Sequence, residues 1–314
     1  MSKALVVIKS MGIGDLSILI SCIHAISNKI AKPVTVLAQK NTKAHEILKY
    51  DPHIEEVIEL NEKEIKGFFN IIKKIKSKRF DQSFIFTDSF RFYLISKLSG
   101  IKKNFHYQFF SKKGKNFYNT AKKFTENILD TEINSQSKIY FNKDEMELAK
   151  KKFSISNKTK NIVCGISASG PTKRWDINNY IKLFEKLNEK FDCKFFLAGG
   201  MNDESLIEQV IKSSIGKNCI SFSKMTIAET IPIISACQYY IGNDTGWGHI
   251  SSGLGLKSLM LFMDSPPAAY GVYSKNIYLV LPDGETVESC GHNTRGKNKI
   301  TVEKVLNKTL ELII

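Results

Sequence analysis

Residues 241–255, Ile-Gly-Asn-Asp-Thr-Gly-Trp-Gly-His-Ile-Ser-Ser-Gly-Leu-Gly, constrain the fold of this chain more than any other stretch. An apolar run, Cys-Gln-Tyr-Tyr-Ile, leads in at 237–241, and another, Ser-Leu-Met-Leu-Phe, leads out at 258–262. That order reads as buried strand, tight turn, short helix, buried strand. Asn243, Asp244 and Thr245 are capping residue types, and the glycines permit positive φ and close backbone approach. A helix that starts this way offers free N–H groups and a partial positive charge, which suits a phosphate. The plainer alternative is a well-capped crossover helix.

A second glycine turn supports the ligand reading. Ala-Leu-Val-Val-Ile at 4–8 runs into Lys-Ser-Met-Gly-Ile-Gly-Asp at 9–15, and an apolar helical pattern starts at Leu16. The turn lacks the third glycine of the dinucleotide fingerprint and the Gly-Lys-Ser/Thr end of a Walker loop. It places a carboxylate, Asp15, at the mouth of a strand–helix turn.

Between and beyond these turns, strand and helix patterns alternate. Strands are expected at 33–38, 54–60, 82–87, 162–166, 194–198 and 218–221, with helices at 42–49, 64–77, 177–189 and 227–236. Such alternation predicts parallel sheets with right-handed crossovers and helices on both faces. The basic stretch beyond Gly100 is less regular and is expected to form loops over the carboxyl edge of the first sheet. A polar stretch at 150–160 marks a boundary. The fold class is therefore α/β, with two doubly wound, Rossmann-like domains at 1–153 and 158–314 facing across a cleft lined by their carboxyl-end loops. An amphipathic helix at about 302–314 closes the chain, with the N-terminal domain as a candidate packing partner.

The charge is uneven. Residues 1–153 carry 28 Lys and Arg against 16 Asp and Glu, and the remainder 18 against 15. Residues 89–125 contain no acid, nine cations including Lys102, Lys103, Lys112 and Lys113, and interleaved aromatics. This is either a solvated lysine-rich face or a surface for an anionic glycolipid, membrane or nucleic acid. Patterns of nucleic-acid recognition modules are absent, so nucleic acid is not expected as a partner. The six cysteines show no metal-type spacing and read as reduced core thiols. No apolar run approaches bilayer-spanning length and no cleavable leader pattern opens the chain, so a cytoplasmic location is expected.

Four motifs carry a family resemblance: Met-Gly-Ile-Gly-Asp at 11–15, Lys-Arg-Trp at 173–175, Gly-Gly-Met-Asn-Asp-Glu at 199–204 and Asn-Asp-Thr-Gly-Trp-Gly-His at 243–249. Together, in this order, they make the chain resemble the ADP-heptose–lipopolysaccharide heptosyltransferases, inverting glycosyltransferases of the GT-B architecture. The resemblance implies transfer of heptose from ADP-heptose to the lipopolysaccharide inner core, at the inner face of the cytoplasmic membrane. No cofactor or metal is expected, the nucleotide sugar being a substrate. Residues 91–152 carry no family motif, which points to acceptor choice there. The 266–271 loop departs from the family text, which bears on donor-sugar preference.

The resemblance implies that Asp15 is the general base and that Lys173 stabilises the diphosphate leaving group. The residues allow both roles, because a helix start keeps a carboxylate ionised and Lys173 follows a small-residue loop at a strand's carboxyl end. The alternatives are a helix-capping Asp15 and an ordinary surface Lys173. Donor contacts are expected from Ser169, Arg174, Glu204, Asp244, Thr245, Gly246 and His249. Glu204 is a candidate for the ribose hydroxyls, and His249 is either a second candidate base or a positioning group. Acceptor contacts are expected from Gly12, Gly14, Lys102, Lys103, Lys112 and Lys113. Two other readings remain open at this point: a protein acceptor, and a non-catalytic nucleotide or nucleic-acid binder on the same fold.

Overall fold

The computed structural model describes residues 3–8, 12–107, 117–134 and 136–314, without the side chains of Glu62 and Ile65. It divides into two compact units, Met1–Tyr140 and Phe141–Ile314.

The first unit runs β1 (Ala4–Ile8), α1 (Ile13–Ile30), β2 (Val34–Gln39), α2 (Ala44–Ile47), β3 (Ile54–Leu60), α3 (Glu62–Lys66) and α4 (Phe68–Lys76). It continues through β4 (Gln82–Ile85), α5 (Phe90–Leu98), β5 (Lys103–His106) and α6 (Phe117–Leu129). The strands form a parallel sheet in the order β3-β2-β1-β4-β5. Every residue of β1 is buried, as expected of a central parallel strand covered on both faces. α1 is 18 residues long with a mean hydropathy of 1.2, so by length and composition it passes as a membrane-spanning helix, contrary to the expectation that no segment would. Its apolar side chains are instead buried as the crossover between β1 and β2. The helix expected at 64–77 is two helices, because Gly67 leaves the helical region at φ −78°, ψ 80°.

The second unit opens with α7 (Lys143–Phe153) and β6 (Lys160–Gly165), then α8 (Ile177–Lys190), β7 (Cys193–Ala198), α9 (Glu204–Ile211) and β8 (Cys219–Ser221). It proceeds through α10 (Ile227–Ser235), β9 (Tyr239–Asn243), α11 (Gly246–Gly253), β10 (Lys257–Leu261), α12 (Pro267–Tyr270), β11 (Ile277–Val280) and α13 (Val302–Ile313). The parallel order is β11-β10-β9-β6-β7-β8. α7 lies against α10, so the polar 150–160 stretch falls inside this unit. The terminal helix α13 packs on α8, β10 and β11, and its Val305, Leu306, Leu312 and Ile313 join the second unit's core. Burial pushes the thiols of Cys22, Cys193 and Cys219 up to about 12, so these behave as small apolar side chains.

Each sheet reverses its winding at one pair of central strands: β1 and β4 in the first unit, β6 and β9 in the second. Crevices open at the carboxyl ends of such strand pairs. In the second unit the pair is drawn together by two glycines. A Cβ on Gly242 would lie 2.5 Å from the Gly165 backbone nitrogen, and one on Gly165 would lie 1.9 Å from the Tyr240 hydroxyl. Gly242→Ala is therefore expected to cost about 1–3 kcal/mol through forced strand separation. Gly200→Ala, with open space around it, should stay within about 0.5 kcal/mol. Urea unfolding midpoints that match for the two variants would contradict this packing.

Candidate active site

At the first unit's switch point, the chain leaves β1 and enters α1 through Gly12 and Gly14. The Gly12 backbone N–H donates to Asp15 Oδ2 at 2.8 Å, and the Leu16 N–H donates to the Gly12 carbonyl at 3.2 Å. Asp15 is thus the first-turn carboxylate of a capping box, half-buried at the carboxyl edge of the sheet. Residues 9–11 of this turn lie outside the described residues, as do Lys112 and Lys113.

Lys102 and Lys103 are exposed, but they sit where β5 begins. Lys103 pairs in register with Gln82, the first residue of β4. In a parallel sheet all strand starts share one edge, so these lysines occupy the amino edge and Asp15 the opposite one. The structure does not bring Lys102 and Lys103 to Asp15, because 103–106 is a strand; residues 108–116 of the basic stretch lie outside the described residues.

The second unit's switch point is tied by Asn243, fully buried at the end of β9. Its Oδ1 accepts from the Trp175 backbone N–H at 3.1 Å and the Tyr180 hydroxyl at 2.9 Å. Its Nδ2 donates to the carbonyls of Ile166 at 3.2 Å and Ser167 at 3.1 Å. One amide therefore fixes both ends of the 166–175 loop. Trp175, buried against Tyr180 in a T-shaped contact, donates its indole N–H to the Ile300 carbonyl at 2.9 Å.

That anchoring leaves the middle of the loop at the surface. Ser169 is exposed, and Lys173 closes a single 3₁₀ turn, Pro171–Lys173, half-buried and without an ion pair among the described residues. Arg174 reaches the Ala168 carbonyl through Nη2 at 3.4 Å, while its buried Nε has no partner among the described residues. Across the switch point, α11 starts at Gly246 with extended backbone at Thr245 and no side-chain cap. The Thr245 hydroxyl is 3.2 Å from the Tyr240 hydroxyl instead. The leading N–H groups of α11 are consequently not taken by a capping side chain.

Asp244 faces inward. Ser265 donates to its Oδ2 at 2.6 Å, and His249 Nε2 lies 3.2 Å from its Oδ1. The other ring nitrogen of His249, Nδ1, is 3.0 Å from the Tyr273 hydroxyl, and the ring is buried. With both nitrogens engaged, His249 orients Asp244 and is not placed as a base or a direct donor contact. Glu204 opens α9 and pairs with Lys224 at 3.3 Å on the rim of a cavity of about 240 Å³ lined also by Ile207, Ile211, Ser223 and Met225. This cavity lies at the carboxyl ends of β7 and β8, along the same edge as the switch point.

A family model for glycosyltransferase family 9 (heptosyltransferase) matches residues 68–299. The chain belongs to that family. Among its relatives, lipooligosaccharide heptosyltransferase 2 of Haemophilus influenzae is 27% identical over 160 residues, which is 48% of this chain and 46% of that protein. The chain thus matches about half the length of this relative. Two solved structures share the fold over nearly the whole chain. Escherichia coli ADP-heptose lps heptosyltransferase II aligns at a TM-score of 0.76 with 19% identity, covering 99% of this chain and 98% of that one. A family 9 glycosyl transferase from Veillonella parvula aligns at 0.85 with 17% identity, covering 99% and 97%. The fold of this family 9 chain is accordingly GT-B, built from two parallel-sheet α/β units.

Sequence reasoning missed Asp264 and Ser265, which follow β10 at the same carboxyl edge. Asp264 accepts from the Arg295 backbone N–H at 2.9 Å. Burial works against its charge, yet the Thr172 hydroxyl, the backbone N–H groups of Arg295 and Asn293, and the Lys173 ammonium hold its carboxyl below the usual range. It therefore braces the turn that presents Lys173. A depressed folded-state pKa gives stability that is complete above the ordinary carboxylate value near ~4 and is lost as pH falls through the folded value. Asp264→Asn should lower the melting temperature at neutral pH, and the difference should shrink in acid. An equal drop at both pH values would contradict the brace.

Proposed function

We propose that the protein is an inverting glycosyltransferase that moves heptose from ADP-heptose to the inner core of lipopolysaccharide. The observation that carries this reading is the convergence, at one switch point of a family 9 fold, of Lys173, an Arg174 Nε with no partner among the described residues, and the start of α11 without a side-chain cap. All three are electropositive, and a nucleotide diphosphate is the anion that such a crevice suits. The donor named in the Escherichia coli neighbour's description agrees with this choice.

In this mechanism the diphosphate lies between the 167–174 loop and residues 245–247, with Ser169, Thr245 and Gly246 along its path. The nucleoside extends toward Glu204 and the cavity beside it. An acceptor hydroxyl attacks the anomeric carbon as the bond to the diphosphate oxygen breaks on the opposite face, so the configuration inverts in one step. Negative charge grows on the departing ADP, where Lys173 and Arg174 stabilise it. The acceptor proton passes to Asp15, whose carboxylate is aimed by the Gly12 N–H. Late proton loss suits such a base, because the hydroxyl acidifies as its oxygen bonds to the anomeric carbon. Fixed cationic side chains take the place of a divalent ion in the chemical step.

Gly12 and Gly14 are the acceptor contacts nearest to Asp15. Lys102 and Lys103 act in this reading as part of the general positive field of the first unit, which draws an anionic glycolipid or a membrane surface from a distance. The enzyme would then work at the inner face of the cytoplasmic membrane, and nucleic acid has no part in the reaction.

Two variants and one omission test the scheme. Asp15→Asn should leave donor affinity unchanged and lower turnover by about two to four orders of magnitude. Lys173→Ala should weaken ADP binding by roughly tenfold, the worth of one charge-assisted contact. Transfer should proceed at full rate without added magnesium. Normal turnover in Asp15→Asn would reduce that residue to a helix cap, and a strict magnesium requirement would overturn the cationic leaving-group site.

A further inference from the structure

The amino edge of the first sheet holds a cluster that the transferase chemistry does not use. His24 lies on α1, and Asp51 and His53 stand just ahead of β3. His24 and Asp51 are buried and His53 is half-buried. His24 Nε2 is 2.7 Å from Asp51 Oδ2, and the His53 backbone N–H donates to Asp51 Oδ1 at 3.0 Å. The two imidazoles are stacked, with centroids 4.3 Å apart and planes 29° apart. One candidate ligand atom from each of the three residues can be chosen such that all lie within 4.8 Å of one another.

Hydrogen bonding fixes which nitrogen of His53 is available. Ser27 Oγ donates its only hydrogen to the Lys32 carbonyl at 2.9 Å. Where the same oxygen meets His53 Nδ1 at 3.3 Å it must therefore accept, so the ring hydrogen is on Nδ1. The neutral ring then keeps its lone pair on Nε2, which has no protein partner among the described residues. An imidazole oriented by an acceptor on its far nitrogen is the usual arrangement of a metal-bound histidine.

We infer that His24, Asp51 and His53 form a binding site for one divalent transition-metal ion of the zinc class. Two imidazoles and a carboxylate suit zinc and its neighbours, whereas magnesium and calcium select all-oxygen sites. Bonds of about 2.0–2.1 Å around a tetrahedral ion place ligand atoms roughly 3.3 Å apart. The 2.7 Å His24–Asp51 separation and the 4.8 Å limit of the cluster bracket that value, so side-chain adjustments of about an ångström bring the three into range. Water can complete the set from the half-exposed His53 side. The ion would staple α1 to the start of β3, on the edge away from Asp15. Its role is structural and independent of the transferase reading.

A hydrogen-bonded histidine–aspartate pair that binds no metal is the competing account. The full-length protein, stripped of metal and dialysed, is titrated with zinc chloride, with magnesium chloride as the control. One zinc per chain with micromolar or tighter affinity, and a melting temperature raised by a few degrees, is the expected result. His53→Ala should weaken zinc binding at least tenfold, and His53→Gln serves if the alanine variant folds poorly. Cobalt(II) in the wild-type protein should give visible bands without a thiolate charge-transfer band, which separates this site from the six free cysteines. No zinc uptake, unchanged uptake in both His53 variants, or a thiolate band would each overturn the inference.

Discussion

The candidate donor site depends on one buried amide. Asn243 uses both hydrogens and both acceptor directions of its side chain to hold Ile166, Ser167, Trp175 and Tyr180 around the end of β9. A buried polar group left without partners costs about 1–3 kcal/mol, so this four-fold arrangement is strongly specified. What it specifies is a loop whose two ends are rigid and whose middle faces outward with Ser169 and Lys173. The glycine pair Gly165 and Gly242 makes the arrangement possible by letting β6 and β9 approach closely. Local backbone freedom, close strand packing and the presentation of charge are thus one construction.

Parallel topology gives the rest of the molecule its polarity. Because every strand of a sheet points the same way, each unit has one edge where strands end and glycine turns open, and another where strands begin. Asp15 occupies the first kind of edge in its unit, and Lys173, Thr245, Gly246 and Glu204 do so in theirs. The opposite edge of the first sheet holds Lys102, Lys103 and the His24–Asp51–His53 cluster. Chemistry assigned to the carboxyl edges and a structural role assigned to the amino edge therefore follow from a single geometric rule.

Much of this was legible in the residues. The two glycine turns, the buried runs of β1, β6, β9 and β10, and the helix of α8 follow from local pattern. What escaped was whatever depends on neighbours distant in sequence. β5 reads Lys-Asn-Phe-His, a polar edge strand with little hydrophobic alternation, so local pattern does not mark it as a strand. The inward turn of Asp244 depends on Ser265, His249 and, beyond it, Tyr273, and only the middle one is close in sequence. Asp264 carried one usable signal, its position just after a strand at a carboxyl edge. His24 and His53 are 29 residues apart, and no spacing rule joins them.

The central claim is that the diphosphate of a nucleotide sugar is held at the β6–β9 switch point. Hydrogen–deuterium exchange with and without ADP measures this most directly. The account predicts slowed exchange confined to residues 167–175 and 244–248, with a weaker effect near Glu204. Unchanged exchange in these segments under saturating ADP, with protection appearing at the start of α1 instead, would contradict it.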